Sequence, residues 1–93
     1  MRTIKYTNQF KRDYKREKAG RHGKTFDTEL QQVLNLLVSD SPLAQRHKDH
    51  PLKGEWQDHR DCHIRPDLVL IYRNPDSKTL ELVRIGSHNQ IGW

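Results

Sequence analysis

Apolar residues are sparse along this chain, but their spacing divides it into a helical half and a strand-rich half. Phe26, Leu30, Val33, Leu34 and Leu37 recur at i, i+4, i+7, i+8 and i+11, which is one stripe of an α-helix. The spacing predicts a helix from near Thr25 to Ser39-Asp40. Asp27 and Glu29 stand in its first turn, where negative charge suits the helix dipole, and Pro42 lies just past its end. An earlier helix is predicted from Gln9 to about Arg21, with Asn8 as its N-cap and Gly20 and Gly23 breaking the chain after it. Its apolar contacts reduce to Phe10 and Tyr14, four residues apart, and its other faces are Lys and Arg. Such a helix gains too little alone and must dock through that narrow stripe.

The remaining pattern is β. Arg2 to Thr7 alternates polar with apolar or β-branched residues. Arg60 to Arg65, Leu68 to Arg73 and Leu80 to Ile85 read as three further strands, joined by turns at Pro66-Asp67 and Asn74-Pro75-Asp76-Ser77. Leu68 to Tyr72 is apolar on both faces, as a central strand should be. The expected fold is therefore α+β, in the order β-α-α-β-β-β: one mainly antiparallel sheet with a helical hairpin packed on it, a single domain over residues 1–93.

Composition narrows the setting. Charged residues make up 31% of the chain, but clustering of the apolar residues argues against disorder. A single cysteine, Cys62, excludes an internal disulfide and a Cys-rich zinc site. The first twenty residues hold no apolar segment, and the longest apolar run, Leu68 to Tyr72, is too short for a bilayer. A cytoplasmic protein with no membrane partner is expected. Residues 1–24 carry nine Lys/Arg against two acids, so this stretch is far more basic than the chain's net +5. Such asymmetry suits a polyanionic partner, most simply nucleic acid, or else a solvated helix face.

The candidate chemistry lies in the second half. Five of the six histidines fall there, His47, His50, His59, His63 and His88, interleaved with Asp49, Asp58, Asp61 and Asp67. With a strand period of two, Asp61, His63 and Arg65 point to one face, and Cys62 and Ile64 to the other. Asp67 can return beside His63 or Arg65, and His88 follows the last strand through Gly86-Ser87. Cleavage of RNA by its own 2′-hydroxyl needs a base, an acid and cations on the phosphorane. Histidine serves both proton roles near neutral pH, and Arg offers a planar fork to phosphate. His50, His63, His88 and Asp67, with Arg84 or Arg65, supply each part without metal or cofactor. The competing readings are a polar strand face without catalysis, and metal ligation by His47/His50 or His59/His63. The latter spacings share a face only on a helix, which Pro51 and the strand pattern oppose.

Three separated stretches resemble the YafQ-type branch of the RelE/ParE toxin superfamily. They are His47-Lys48-Asp49-His50-Pro51-Leu52-Lys53-Gly54-Glu55-Trp56, the run from Arg60 to Tyr72, and Arg84-Ile85-Gly86-Ser87-His88. They occur in the family's order and spacing and cover most of residues 47–88. The resemblance implies a RelE-like fold and a ribosome-dependent endoribonuclease that cuts mRNA in the A site of the 70S ribosome. It also implies a cognate antitoxin. It places His50, Asp61, His63, Asp67 and His88 at the family's active-site positions and Arg84 near the phosphate. Lys11, Arg12, Lys15, Arg16 and Lys18 of the basic helix, with Arg65, are then expected to meet ribosomal RNA. Trp93 falls about one place later than the aromatic that follows the family's last histidine, and is a candidate to stack on a nucleobase. Two other readings compete: a ParE-like poison of DNA gyrase, which would not need the histidines, and a plain nucleic-acid-binding module.

Overall fold

The computed structural model describes residues 1–20 and 23–92. Five strands form one sheet: β1 Thr3–Tyr6, β2 His50–Pro51, β3 Arg60–Arg65, β4 Leu68–Arg73 and β5 Thr79–Gly86. Their spatial order is β1-β5-β4-β3-β2. β1 runs parallel to β5 and every other pair is antiparallel. Helices α1 Asn8–Lys18 and α2 Gly23–Val38 connect β1 to the rest, and α3 His88–Ile91 follows β5.

The α2 stripe does what its period dictates. Phe26, Leu30, Val33, Leu34 and Leu37 are all buried, and they join Phe10 of α1 in one core against the sheet. The central strand β4 serves two cores. Leu70 and Tyr72 face the helices, while Val69 and Ile71 face the other side under Leu52, Trp56, Val83 and Ile91. That second layer is thin, so this face of the sheet keeps exposed polar ground beside β3.

Four local features differ from the sequence expectation. Thr7 caps α1, not Asn8: its hydroxyl accepts the Phe10 amide at 3.0 Å, so the helix starts one residue earlier. α2 begins at Gly23 rather than near Thr25. A Cβ on Gly23 would stand 2.1 Å from the Lys18 carbonyl oxygen, so the close hairpin approach demands glycine. His50 and Pro51 form a fifth strand, where only four strands were expected. The segment after β5 is a short helix with a full capping box between Ser87 and Gln90. Among the described residues, no helix is long and apolar enough to cross a membrane.

Phe26→Ala removes the largest fully buried side chain of α2. We expect a loss of about 3–5 kcal/mol in urea unfolding. A loss below about 1 kcal/mol would show that α2 does not anchor the core.

Candidate functional site

β3 carries the centre of the site, and its shape decides which side chains reach it. His63 pairs with Val69, but Arg65 pairs with Leu68, so β3 holds a bulge at Ile64. Before the bulge, Asp61 and His63 share the face of Ile71 and Val69, away from α1 and α2. After it, Arg65 turns to the helix side and bonds Glu29 and Thr25 of α2. The expected common face of Asp61, His63 and Arg65 is thus corrected: alternation holds for the first two and the bulge reverses the third.

Two His–Asp pairs converge on this face. β2 pairs His50 with Asp61, and His50 Nε2 lies 2.7 Å from Asp61 Oδ1. The approach is close but poorly aligned, and among the described residues Asp61 Oδ1 has no well-directed hydrogen-bond donor. Asp61 therefore meets His50 across the β2–β3 pair. Across the site, Asp67 on the β3–β4 turn accepts from His88 Nδ1 at 3.1 Å. The His88 ring stacks obliquely near His63, with centroids 5.5 Å apart, and His63 Nδ1 lies 3.2 Å from the Pro66 carbonyl. His50, Asp61, His63, Asp67 and His88 thus form one patch drawn from β2, β3, the turn and α3.

The two aspartates of these pairs are tuned oppositely. Asp61 is only 2% exposed; burial pushes its carboxyl up, and His50, His63 and His88 offset only part of that. Asp67 is exposed, and its bond from His88 holds it below the ordinary carboxylate range. Asp61 is a desolvated acid, whereas Asp67 is an anion held beside an imidazole.

Arg84 stands at the edge of the same face, opposite Ile71. It does not project freely. Its Nε donates to Asp13 Oδ2 at 2.7 Å and its Nη2 to Asp13 Oδ1 at 3.3 Å. Asp13 is 0% exposed, and it also accepts from Arg16 Nη1, Gln9 Nε2 and the Ile85 amide. Burial alone would raise its carboxyl, but the bonds from Arg84, Ile85 and Gln9 outweigh that and hold it below the usual range. Asp13 was missed in the sequence, although a signal existed. It lies three residues after Phe10 and one before Tyr14, inside the docking stripe rather than on the basic faces.

The other expected residues are spread more widely. Lys11, Arg12 and Lys15 are exposed on α1, and Lys18 pairs with Asp27. Arg16 is tied to Asp13 and Glu17. Trp93 lies outside the described residues. His59 packs edge-on against Trp56, apart from the patch. His47 is buried, with Nδ1 2.7 Å from the His63 carbonyl, so it braces β3 from behind. Asp49 accepts from Tyr72 Oη at 2.6 Å and from Arg60 Nε at 3.3 Å, which fixes the loop just before His50. Cys62 is in the core, and burial pushes its thiol far up. Among the described residues, no group of three or more His, Cys, Asp or Glu is arranged to hold a metal ion.

A mixed five-stranded sheet, with α1 and α2 on one face and a His/Asp patch on the other, defines a RelE-like toxin. The chain belongs to the YafQ family: the model of that family, described as a bacterial toxin of type II toxin-antitoxin system, matches residues 2–92. The mRNA interferase toxin YafQ of Escherichia coli K12 is 39% identical over 88 residues, covering 94% of this chain and 91% of that protein. A putative toxin YafQ of Haemophilus influenzae is 37% identical over 94 residues, covering 94% of this chain and 88% of that protein. The crystal structure of YafQ from E. coli BL21(DE3) superposes with a TM-score of 0.84 at 34% identity, over 100% of both chains. The E. coli DinJ-YafQ complex gives a TM-score of 0.81 at 32% identity, over 100% of this chain and 100% of the matched chain.

The shifts of the two buried carboxylates predict opposite stability effects. Asp61 prefers its proton when folded, so the native state loses stability as pH rises through its raised value. Asp13 prefers ionisation when folded, so its contribution is present above the ordinary carboxylate range and lost as pH falls through its lowered value. At neutral pH, Asp61→Asn should raise Tm, and Asp13→Asn should cost roughly 3 kcal/mol by leaving Arg84 without its buried partner. Both differences should shrink in acid. Thermal melts across pH check this, and an Asp61→Asn protein no more stable than wild type at neutral pH would refute it.

Proposed function

We propose that this toxin is a ribosome-dependent endoribonuclease that cuts mRNA in the A site by attack of the RNA's own 2′-hydroxyl. Its class is that of its named relatives, an mRNA interferase. One observation carries the reading: His88 and Asp67 stand within hydrogen-bond distance on the same patch as His63, Asp61 and His50.

The chemistry follows from the groups present. A base removes the 2′-OH proton, the oxygen attacks phosphorus, and the 5′-oxygen leaves with a proton from an acid. The products are a 2′,3′-cyclic phosphate and a free 5′-hydroxyl. Asp67, held ionised, fixes His88 through Nδ1 and directs proton exchange to Nε2. His63, beside His88, and His50, backed by Asp61, flank the space for the phosphate. Arg84 contributes positive charge at its border. Each requirement is thus met by a protein side chain. Lys11, Arg12 and Lys15 leave a basic helix face for ribosomal RNA, which would make binding strongly salt-dependent. The DinJ-YafQ neighbour supports a cognate antitoxin as the partner that holds the toxin inactive.

His88→Ala and Asp67→Ala should each lower cleavage by about 10²–10⁴-fold while the protein stays folded, because both side chains lie at the surface. Induction in bacteria with primer extension on a reporter mRNA reads this out. In-frame cuts that vanish in the variants and on removal of the start codon are the expected result. Growth arrest with intact mRNA would instead favour a gyrase poison or a binding module.

A further inference from the structure

We propose that Asp13, Arg16 and Gln90 form a positioning relay that holds His88 in the cleavage site. This rests on the reading of His88 as a proton carrier.

The starting point is how α3 is placed: Ile91 packs against Val69 and Ile71, and polar contacts fix the helix's entry. It spans four residues, too few to be stable by itself. Its first residue is His88. Its entry is set by the Ser87–Gln90 capping box: the Ser87 amide donates to Gln90 Oε1 at 2.8 Å, and the Gln90 amide donates to Ser87 Oγ at 3.2 Å. The same Gln90 Oε1 lies 3.4 Å from Arg16 Nη2, and the Gln90 carbonyl lies 3.5 Å from Arg84 Nη2. Both guanidiniums are gripped by the buried Asp13. Arg16 also donates to the Ile85 carbonyl at 3.1 Å, two residues before Ser87. So the turn that aims His88 is fastened through two arginines to a carboxylate inside α1.

Gly86 shows that this arrangement is built in. A Cβ there would lie 2.8 Å from Arg16 Nη2 and 3.0 Å from Gln90 Oε1. The bare backbone lets the Arg16 guanidinium and the Gln90 amide close over the end of β5. Asp13, Arg16 and Gln90 need not touch the substrate. They decide where His88 stands, and misplacement of a proton carrier by about 1 Å can cost on the order of 10²-fold in rate.

The test uses full-length toxin with bacterial ribosomes programmed with an mRNA, comparing wild type, His88→Ala, Asp13→Asn, Gly86→Ala and Val33→Ala. Thermal melts establish that each is folded at the assay temperature. Val33→Ala weakens the core of α2 away from the relay and should keep wild-type turnover per folded molecule. Asp13→Asn and Gly86→Ala should lower kcat by roughly 10–100-fold with KM changed less than about threefold. Folded variants with wild-type kcat would overturn the relay while leaving the function intact. A rise in KM alone would also overturn it, since the arginines would then be binding substrate directly. If Asp13→Asn fails to fold, Gly86→Ala decides alone, because its added Cβ presses most closely on the ends of the Arg16 and Gln90 side chains and meets the Gln90 Cβ only at 3.4 Å, an ordinary contact. Undiminished cleavage by His88→Ala would remove the functional reading and the relay with it.

Discussion

β1 pairs with β5 only as far as Leu82, so the last part of β5 has no strand on that side. Backbone groups left unpaired there would be costly, and the fold meets the need with side chains of the preceding segment. Thr7 donates its hydroxyl to the Val83 carbonyl at 2.7 Å, Asp13 accepts the Ile85 amide at 3.1 Å, and Arg16 donates to the Ile85 carbonyl. α1 therefore replaces a strand along this edge. It also explains how a helix with so thin an apolar stripe docks at all: polar closure of the β5 edge supplements Phe10 and Tyr14.

Asp13 is the critical member because it brings a fully buried carboxylate into the closed space. A buried carboxylate is tolerable only when its lone pairs are filled, and here two arginines, a glutamine and a backbone amide fill them. The arrangement places two guanidiniums around one carboxylate, leaving net positive charge where β5 enters the turn to His88. Structure and electrostatics are thus set by the same contact. Asp61 offers the contrast: it is buried with imidazole neighbours and no well-directed donor. One acid serves the fold and is satisfied; the other lies in the candidate site and is not, the kind of local conflict that sets candidate functional positions apart.

Much of the fold was legible because it depends on periodicity. α2 has a clean 3.6-residue stripe, and β3, β4 and β5 lie within one residue of their expected limits. The gathering of His50, His63, His88 and Asp67 on one patch was legible from the chemistry of their side chains and the family pattern, and the structure brings them together. What escaped was set by geometry between elements. A bulge at Ile64 has no Gly or Pro to announce it, yet it sends Arg65 to α2. β2 is two residues long, below any readable period, yet it brings His50 to Asp61. Asp13 looked like one acid on a basic helix until the open edge of β5 gave it a role.

These features assign different tasks to the two faces of one sheet. The helix face holds the main core and can bury large side chains because α2 covers it. The opposite face is only partly covered, by Leu52, Trp56 and Ile91, so polar side chains of β3 can stay near solvent. The bulge separates the two faces within β3 itself: before it, Asp61 and His63 join the His/Asp patch, and after it Arg65 ties the strand to α2. α3 then brings His88 back over the same face from the far end of β5. A site assembled from a two-residue strand, a turn and a one-turn helix has little rigidity of its own. Its precision must come from the contacts behind it: His47 on the His63 carbonyl, Asp49 on Tyr72, and Asp13 on the arginines beneath Gln90.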